Sequence, residues 1–339
     1  MAGGQERVLR RRIRSVESTK KITRSFELIA ASQIARAQGR IAGSRPYIKA
    51  VSDILAETAG ESTSLTRLVG ECESRQHVLV LVIVADRGLA GAYNSNVLRA
   101  AERAIRSGAD AGQSYTVVAI GKKAAPFFRF RHQPVEHQFL QMSDRPSFED
   151  ARRVAAVVVP TVVAGEIDVV QVISTRVRSL GTQVVETRQL FPILPADAQP
   201  AEATADASPE TASANAGAEP GTGDHGAPAP DAKLGYFEFE PDPEQLLTEL
   251  IWQYAEAAIY GALLEASAAE HASRQRAMAA ATENAEELLK TITRVMNRAR
   301  QDSITTEIME IVGGAEALRP TGDDTREFAH PQATEEQST

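Results

Sequence analysis

Cysteine is almost absent from this chain. Cys72, between Glu71 and Glu73, is the single one, so neither a disulfide framework nor a cysteine zinc site can form within one copy. Aromatic residues make up only 5% of the 339 positions. With alanine abundant, that favours long helices over a compact aromatic core. Long apolar runs are missing too. The longest, VLVLVIVA at 78–85, falls far short of the ~20 residues a membrane-spanning helix needs. The basic stretch MAGGQERVLRRRIR has no apolar segment behind it and does not read as a secretory signal. Together these features predict a cytosolic location.

Catalytic and cofactor motifs are equally scarce. Of the six histidines only His132 and His137 lie close together, and no Glu-x-x-His pair accompanies them, so no metal site is expected. No GxxxxGK[ST] loop occurs, since Gly121-Lys122 lacks the upstream glycine. In IVADRGLAGAYNSN, 83–96, Gly88 and Gly91 give GxxG without the first glycine of the dinucleotide fingerprint. The stretch reads as a tight strand-to-helix turn with Arg87 on its surface. No catalytic residue, cofactor or metal is predicted, and function is expected to lie in shape and partners.

What is present is a segmented plan. The formal net charge of −8 is uneven. Residues 196–232 carry seven acids and no Lys or Arg, and 319–339 carry five acids and two arginines. The first of these stretches has no aromatic and no aliphatic larger than alanine, so it cannot bury enough apolar surface to offset its chain entropy. It is predicted to be a disordered acidic Ala/Pro/Gly insert, and 319–339 a disordered tail. The rest of the chain is near neutral.

Residues 1–58 are predicted as one long helix from residue 5 onward. Apolar positions recur at Leu9, Ile13 and Val16, at Ile22, Phe26 and Ile29, then from Ile34 through Ala37, Ile41, Ser44, Ile48 and Val51 to Leu55. This is a heptad seam with two phase shifts. Pro46 should loosen it locally. Residues 77–195 alternate in character, with strands at 78–85, 115–121, 167–175 and 182–191. Helices lie at 94–108, closed by Gly108, and at 147–165. Such alternation implies a central Rossmann-like α/β domain. LGYFEFE within 233–241 reads as a returning strand. Residues 242–318 form a second long helix, with a seam through Ala281, Ala285, Leu288, Ile292, Val295 and Ala299, then Ile304, Ile308, Ile311 and Ala315. At 1.5 Å per residue the two helices measure roughly 80 and 110 Å. The predicted fold is α+β: an antiparallel coiled coil of the N- and C-terminal helices, plus the α/β domain.

Two stretches invite sharper readings. Gly313 and Gly314 lie at the C-terminal end of a helix, where the dipole repels phosphate. The run RVLRRRIRSVESTKKITR, 7–24, holds eight basic residues against one acid. It lacks interleaved aromatics, so a solvated or partner-facing helix surface is favoured over nucleic-acid binding. A coiled-coil adaptor with an α/β head fits these features as well.

Three stretches carry a family resemblance. RRRIRSVESTKKITRSFELIAASQIARAQ at 10–38, ADRGLAGAYNSNV at 85–97 and NRARQDSITTEIMEIVGGAEAL at 297–318 resemble the gamma-subunit family of the F-type ATP synthase, the central rotor shaft. The last fits the family's Ile-Thr-x-Glu-x-x-Glu-x-x-x-Gly-Ala pattern through Ile304, Thr305, Glu307, Glu310, Gly314 and Ala315. Ser25-Phe26 and Ala90-Gly91-Ala92 depart from the family's usual Ala-Met and Cys-Gly-Gly. The resemblance implies a non-catalytic rotor subunit, one copy per complex, peripheral on the cytoplasmic side of a bacterial cell membrane. It couples proton flow to ATP synthesis. Its implied partners are the alpha and beta subunits, the epsilon subunit and the membrane c-ring, with no nucleic acid. The implied contacts with beta-subunit loops and sleeve are Arg300, Gln301, Thr305, Glu307, Ile308, Ile311, Gly313 and Gly314. On the N-terminal helix they are Lys20, Lys21, Arg24 and Phe26. Small residues at the tip would keep the shaft thin.

Overall fold

The computed structural model describes residues 2–58, 68, 75–178, 182–193 and 243–318, with side chains omitted at 2–4, 56–58 and 243–247. The acidic insert, the strand expected within 233–241 and the tail from 319 lie outside the described residues, as does Cys72.

Two very long helices bracket a mixed sheet. Helix α1 spans Ala2–Thr58 and runs through Pro46. Strand β1 (His77–Ile83), helix α2 (Tyr93–Asp110), strand β2 (Ser114–Ile120), helix α3 (Ala124–Phe130), strand β3 (His137–Phe139), helix α4 (Phe148–Val163) and strands β4 (Val169–Val177) and β5 (Gln183–Phe191) follow. Helix α5, Pro243–Ala317, has 75 residues. The chain divides into two compact units, one of residues 1–22 with 281–339, the other of residues 23–280.

The larger unit holds the sheet, in the order β3-β2-β1-β4-β5. β1 pairs in parallel with both β2 and β4, and β2 with β3. β5 returns antiparallel to β4. Burial on both faces explains why β1 reads as an unbroken apolar run. Val78, Val80 and Val82 point to one face and meet Val97, Ala101 and Ile105 of α2 and Phe128 of α3. Leu79, Leu81 and Ile83 point to the other, against α4 and the Leu250–Ala266 stretch of α5. α4 begins at a capping box: Ser147 Oγ accepts from the Asp150 amide, and the Asp150 carboxylate accepts from the Ser147 amide. Burial pushes the Asp150 carboxyl up, but the Ser147 hydrogen bonds and the Arg153 cation outweigh it and hold it below its usual value.

The expected helix at 94–108 does not close at Gly108. α2 continues to Asp110, and the left-handed residue is Gly112, with φ +85°. Gly108 has another reason to be glycine. A Cβ there would lie 1.8 Å from the Tyr115 hydroxyl, which needs that space. α3 and β3, of seven and three residues, are not predicted from the sequence; each is too short to show a sustained periodic pattern.

The heptads need correction. In the smaller unit Leu9, Ile13, Val16 and Lys20 of α1 are half-buried. In the larger unit Thr23, Ala30, Ile34, Ala37, Val51 and Leu55 are buried, with Glu27, Ile41, Ser44 and Ile48 half-buried between them. The 4-3 spacing is therefore unbroken from 9 to 55. Ile22, Phe26 and Ile29, expected in the seam, are 54%, 38% and 56% exposed. No phase shift exists; polar or small residues simply occupy the inward positions between 20 and 30. On α5 the inward stripe of the smaller unit is Thr282, Ala285, Leu289, Ile292, Met296, Ala299 and Ser303. Leu288 and Val295 of the expected seam are exposed instead. A helix advancing 100° per residue cannot keep both Leu288 and Leu289 inward, and the 3.5-residue stripe selects Leu289.

Candidate partner-contact surface

The strand-to-helix turn after β1 is the first place to look, because ligands of open α/β sheets bind where the strand order reverses. Here that point lies between β1 and β4. The Asp86 carboxylate accepts from the amides of Lys122 (3.0 Å) and Ser143 (3.2 Å). Those are the kind of donors a bound anion would use. α5 also packs on the turn. Tyr93 donates to the Ala266 carbonyl at 3.2 Å, and Arg274 reaches the Gly88 carbonyl at 3.4 Å. Burial, then the neighbouring Glu270 carboxylate, pushes the Tyr93 hydroxyl well above its ordinary pKa. The turn is thus tied to α5 through Gly88 and Tyr93. Among the described residues no cluster of His, Cys, Asp and Glu could hold a metal ion.

The exposed surfaces of the two long helices are the better candidates. The end of α5 is exposed at every position from 304 to 318. Ile304, Ile308, Met309, Ile311 and Val312 are between 46% and 72% exposed. So many uncovered apolar side chains on one segment call for a partner. Gly313 and Gly314 have nothing within 4 Å of an added Cβ. No contact among the described residues demands them, although each costs up to ~1 kcal/mol of helix stability relative to alanine. Just before this tip, Arg300, Gln301, Thr305 and Glu307 are exposed as well. Thr305 Oγ1 donates to the Gln301 carbonyl at 3.0 Å, which sets them on one side of the helix.

On α1, Lys20 Nζ lies 2.8 Å from Glu286 of α5, within the smaller unit. Arg24 pairs with Glu27 at 2.8 Å one turn on. Such surface pairs contribute up to ~1 kcal/mol. Lys21 is exposed. Ile22, Phe26 and Ile29, expected in the seam, are exposed together with Leu28 and form an apolar surface. The signal that locates it correctly is the uninterrupted spacing of Thr23, Glu27, Ala30 and Ile34.

Solved structures share this fold. A chain of the Euglena gracilis mitochondrial ATP synthase OSCP/F1/c-ring assembly aligns with a TM-score of 0.60 at 17% identity, covering 96% of this chain and all of that one. A chain of the Tetrahymena thermophila mitochondrial ATP synthase central stalk and c-ring aligns with a TM-score of 0.54 at 20% identity, over 77% of this chain and 99% of that one. The fold is that of an ATP synthase stalk chain. Sequence narrows this further. A family model described as ATP synthase matches residues 5–318. The ATP synthase gamma chain of Parafrankia sp. (strain EAN1pec) is 40% identical over 320 residues, 93% of this chain and 98% of that one. The gamma chain of Mycolicibacterium smegmatis is 39% identical over 326 residues, 92% and 97% of the two. This chain belongs to the gamma-chain family of the F-type ATP synthase.

Proposed function

We propose that this chain, a gamma subunit of an F-type ATP synthase, works as the rotating central stalk that couples proton flow through a membrane c-ring to ATP synthesis on an alpha/beta ring. The observation that carries the reading is the tip of α5. It is apolar and exposed, and it is slimmed by two glycines that no contact among the described residues requires. A shaft turning inside a sleeve needs a thin profile there and a surface without fixed hydrogen bonds. The inward stripes of α1 and α5 support an antiparallel coiled coil as that shaft. The α/β unit would be the foot that meets the epsilon subunit and the c-ring. None of the described helices is long and apolar enough to cross a membrane, so attachment would be peripheral, on the cytoplasmic side of a bacterial cell membrane, through those partners.

The mechanism is conformational and needs no active site in this chain. An asymmetric shaft touches the beta subunits unequally, and each rotation step presents a different face. The resulting difference in contact energy biases each catalytic site between open and closed states. Arg300, Gln301 and Thr305 supply a polar belt for contacts made in one rotary state and broken in the next. Ile308, Ile311, Gly313 and Gly314 form the sliding tip, with Glu307 beside them. Lys20, Lys21, Arg24 and Phe26 are the matching contacts on α1. Replacing Arg300 and Gln301 together by alanine should leave assembly intact and cut steady-state ATP hydrolysis several-fold in complexes of matched subunit content. Unchanged turnover would remove this face from the torque-bearing contacts, since two exposed substitutions alone change stability by less than ~0.5 kcal/mol.

A further inference from the structure

We infer that the larger unit carries a binding site for a small phosphate-bearing polyanion, in the cleft bounded by α2, the start of β5 and α5. The site is independent of the contacts assigned above to the ring. It consists of two contiguous cavities of about 830 and 570 Å³ that share Asn96, Thr182, Gln183 and Val185. Both volumes fall in the usual range for small-molecule pockets, roughly 300–1,000 Å³.

The outer cavity is walled by arginine. Arg99, Arg103 and Arg106 stand at i, i+4 and i+7 on α2 and so share one face, and Arg131 faces them from the end of α3. One carboxylate stands among these four guanidiniums. Glu102 lies 3.3 Å from both Arg106 and Arg131. Arg99 is turned onto the Asn96 side chain at 2.7 Å, and Arg103 has no partner among the described residues. The wall therefore carries a net charge of about +3 in a molecule whose overall charge is −8. Arg131 is further held by the rings of Phe127 and Phe130, 5.6 and 6.0 Å from its guanidinium carbon. Rigid, forked donors in a row suit phosphate oxygens, which they can bind in pairs.

The inner cavity supplies uncharged donors. Gln183 Oε1 accepts from Ser273 and Arg276, both of α5. With its oxygen so engaged, the Gln183 amide nitrogen is left without a partner among the described residues, and it is buried. Thr175, which also lines this cavity, is 4% exposed and its Oγ1 is unpartnered as well. Two orphaned polar atoms beside one cavity are unusual, because buried polar groups are nearly always satisfied. A ligand whose terminal phosphate enters the inner cavity would bring acceptors to Arg276, and to both orphaned donors once their side chains turn toward it, while its remaining charge meets the arginine wall.

The test is a calorimetric titration of the full chain with inorganic tripolyphosphate at low salt. Saturable one-site binding is expected. R103A/R106A, two exposed positions outside the core, should weaken it at least about tenfold. T175V, which keeps the shape and deletes the orphaned hydroxyl, should also weaken it. R45A, an exposed arginine of α1 remote in sequence from the cleft, should bind like the parent. Absence of saturable binding would overturn the site. So would equal losses in R45A and R103A/R106A, or full affinity in both cleft variants. Binding of polyglutamate without any response to tripolyphosphate would likewise overturn it, and would assign the arginine wall to an acidic polypeptide.

Discussion

Ile292 and Leu288 sit one turn apart on α5, and the structure gives them opposite fates. Ile292 is 6% exposed and Leu288 is 41% exposed. Both look like seam residues in the sequence, so aspartate at each is a direct test of the register. At Ile292 the substitution removes a buried side chain contributing about 1.5–3 kcal/mol. It also places a carboxyl in the stripe between Leu289 and Met296. The carboxyl can avoid burying its charge by keeping its proton. Raising its pKa from about 4 to 7 costs at most ~4 kcal/mol at 1.36 per unit. The combined penalty is at most about 7 kcal/mol, tempered by water reaching a narrow two-helix interface. The smaller unit has little else inside: Leu9, Ile13 and Val16 on α1, and Leu289, Met296 and Ala299 on α5. A loss of that size should melt residues 1–22 and 281–303 locally while the sheet unit stays folded. Hydrogen exchange read by mass spectrometry should show amides of those two segments losing protection in I292D and those of β1 and β2 unchanged. L288D should resemble the parent, and I292V should lose only ~0.5–1.5 kcal/mol. Equal losses of protection in I292D and L288D would refute the register and the heptad reading behind it.

Two further outcomes follow from the larger unit. Asp150→Ala removes half of the capping box of α4 and should cost about 1 kcal/mol, measured by denaturant unfolding. Because the folded Asp150 carboxyl is held below its usual pKa, its contribution is present above about pH 4, the unfolded value, and is lost as pH falls through the lower folded value. The gap between parent and D150A should therefore close in acid, and a pH-independent gap would contradict the assignment. At Gly261 an added Cβ would lie 2.8 Å from Ile48 Cδ1. Gly261→Val should lower the melting temperature, and I48A should restore part of the loss by making room; no rescue would show that the two helices are not in contact there.

Much of this protein is legible in its sequence. Both long helices could be drawn from heptad spacing to within a few residues, because a 3.5-residue repeat sustained over many turns suits an extended helix and neither a strand nor a loop. β1 stands out as a short, saturated apolar run, and β2 as a β-branched and apolar run, 116–120, closed by Gly121. The family pattern at 304–315 marks the slim tip of α5, whose glycines answer to no neighbour among the described residues. The inward face of each helix was a different matter. Local hydrophobicity favoured Ile22, Phe26 and Ile29, whereas the structure turns Thr23, Glu27 and Ala30 inward. A stripe is fixed by what packs opposite it, and an apolar residue waiting for another chain looks the same in sequence as one packed in the seam. Gly108 shows the same limit at short range. It reads as a helix stop, yet its lack of a side chain answers to Tyr115, seven residues on. The arginine cleft joins α2, α3, β5 and α5, elements separated by up to about 180 positions in the chain. No local pattern carries information across such a gap; only the order of strands in the sheet brings those side chains together.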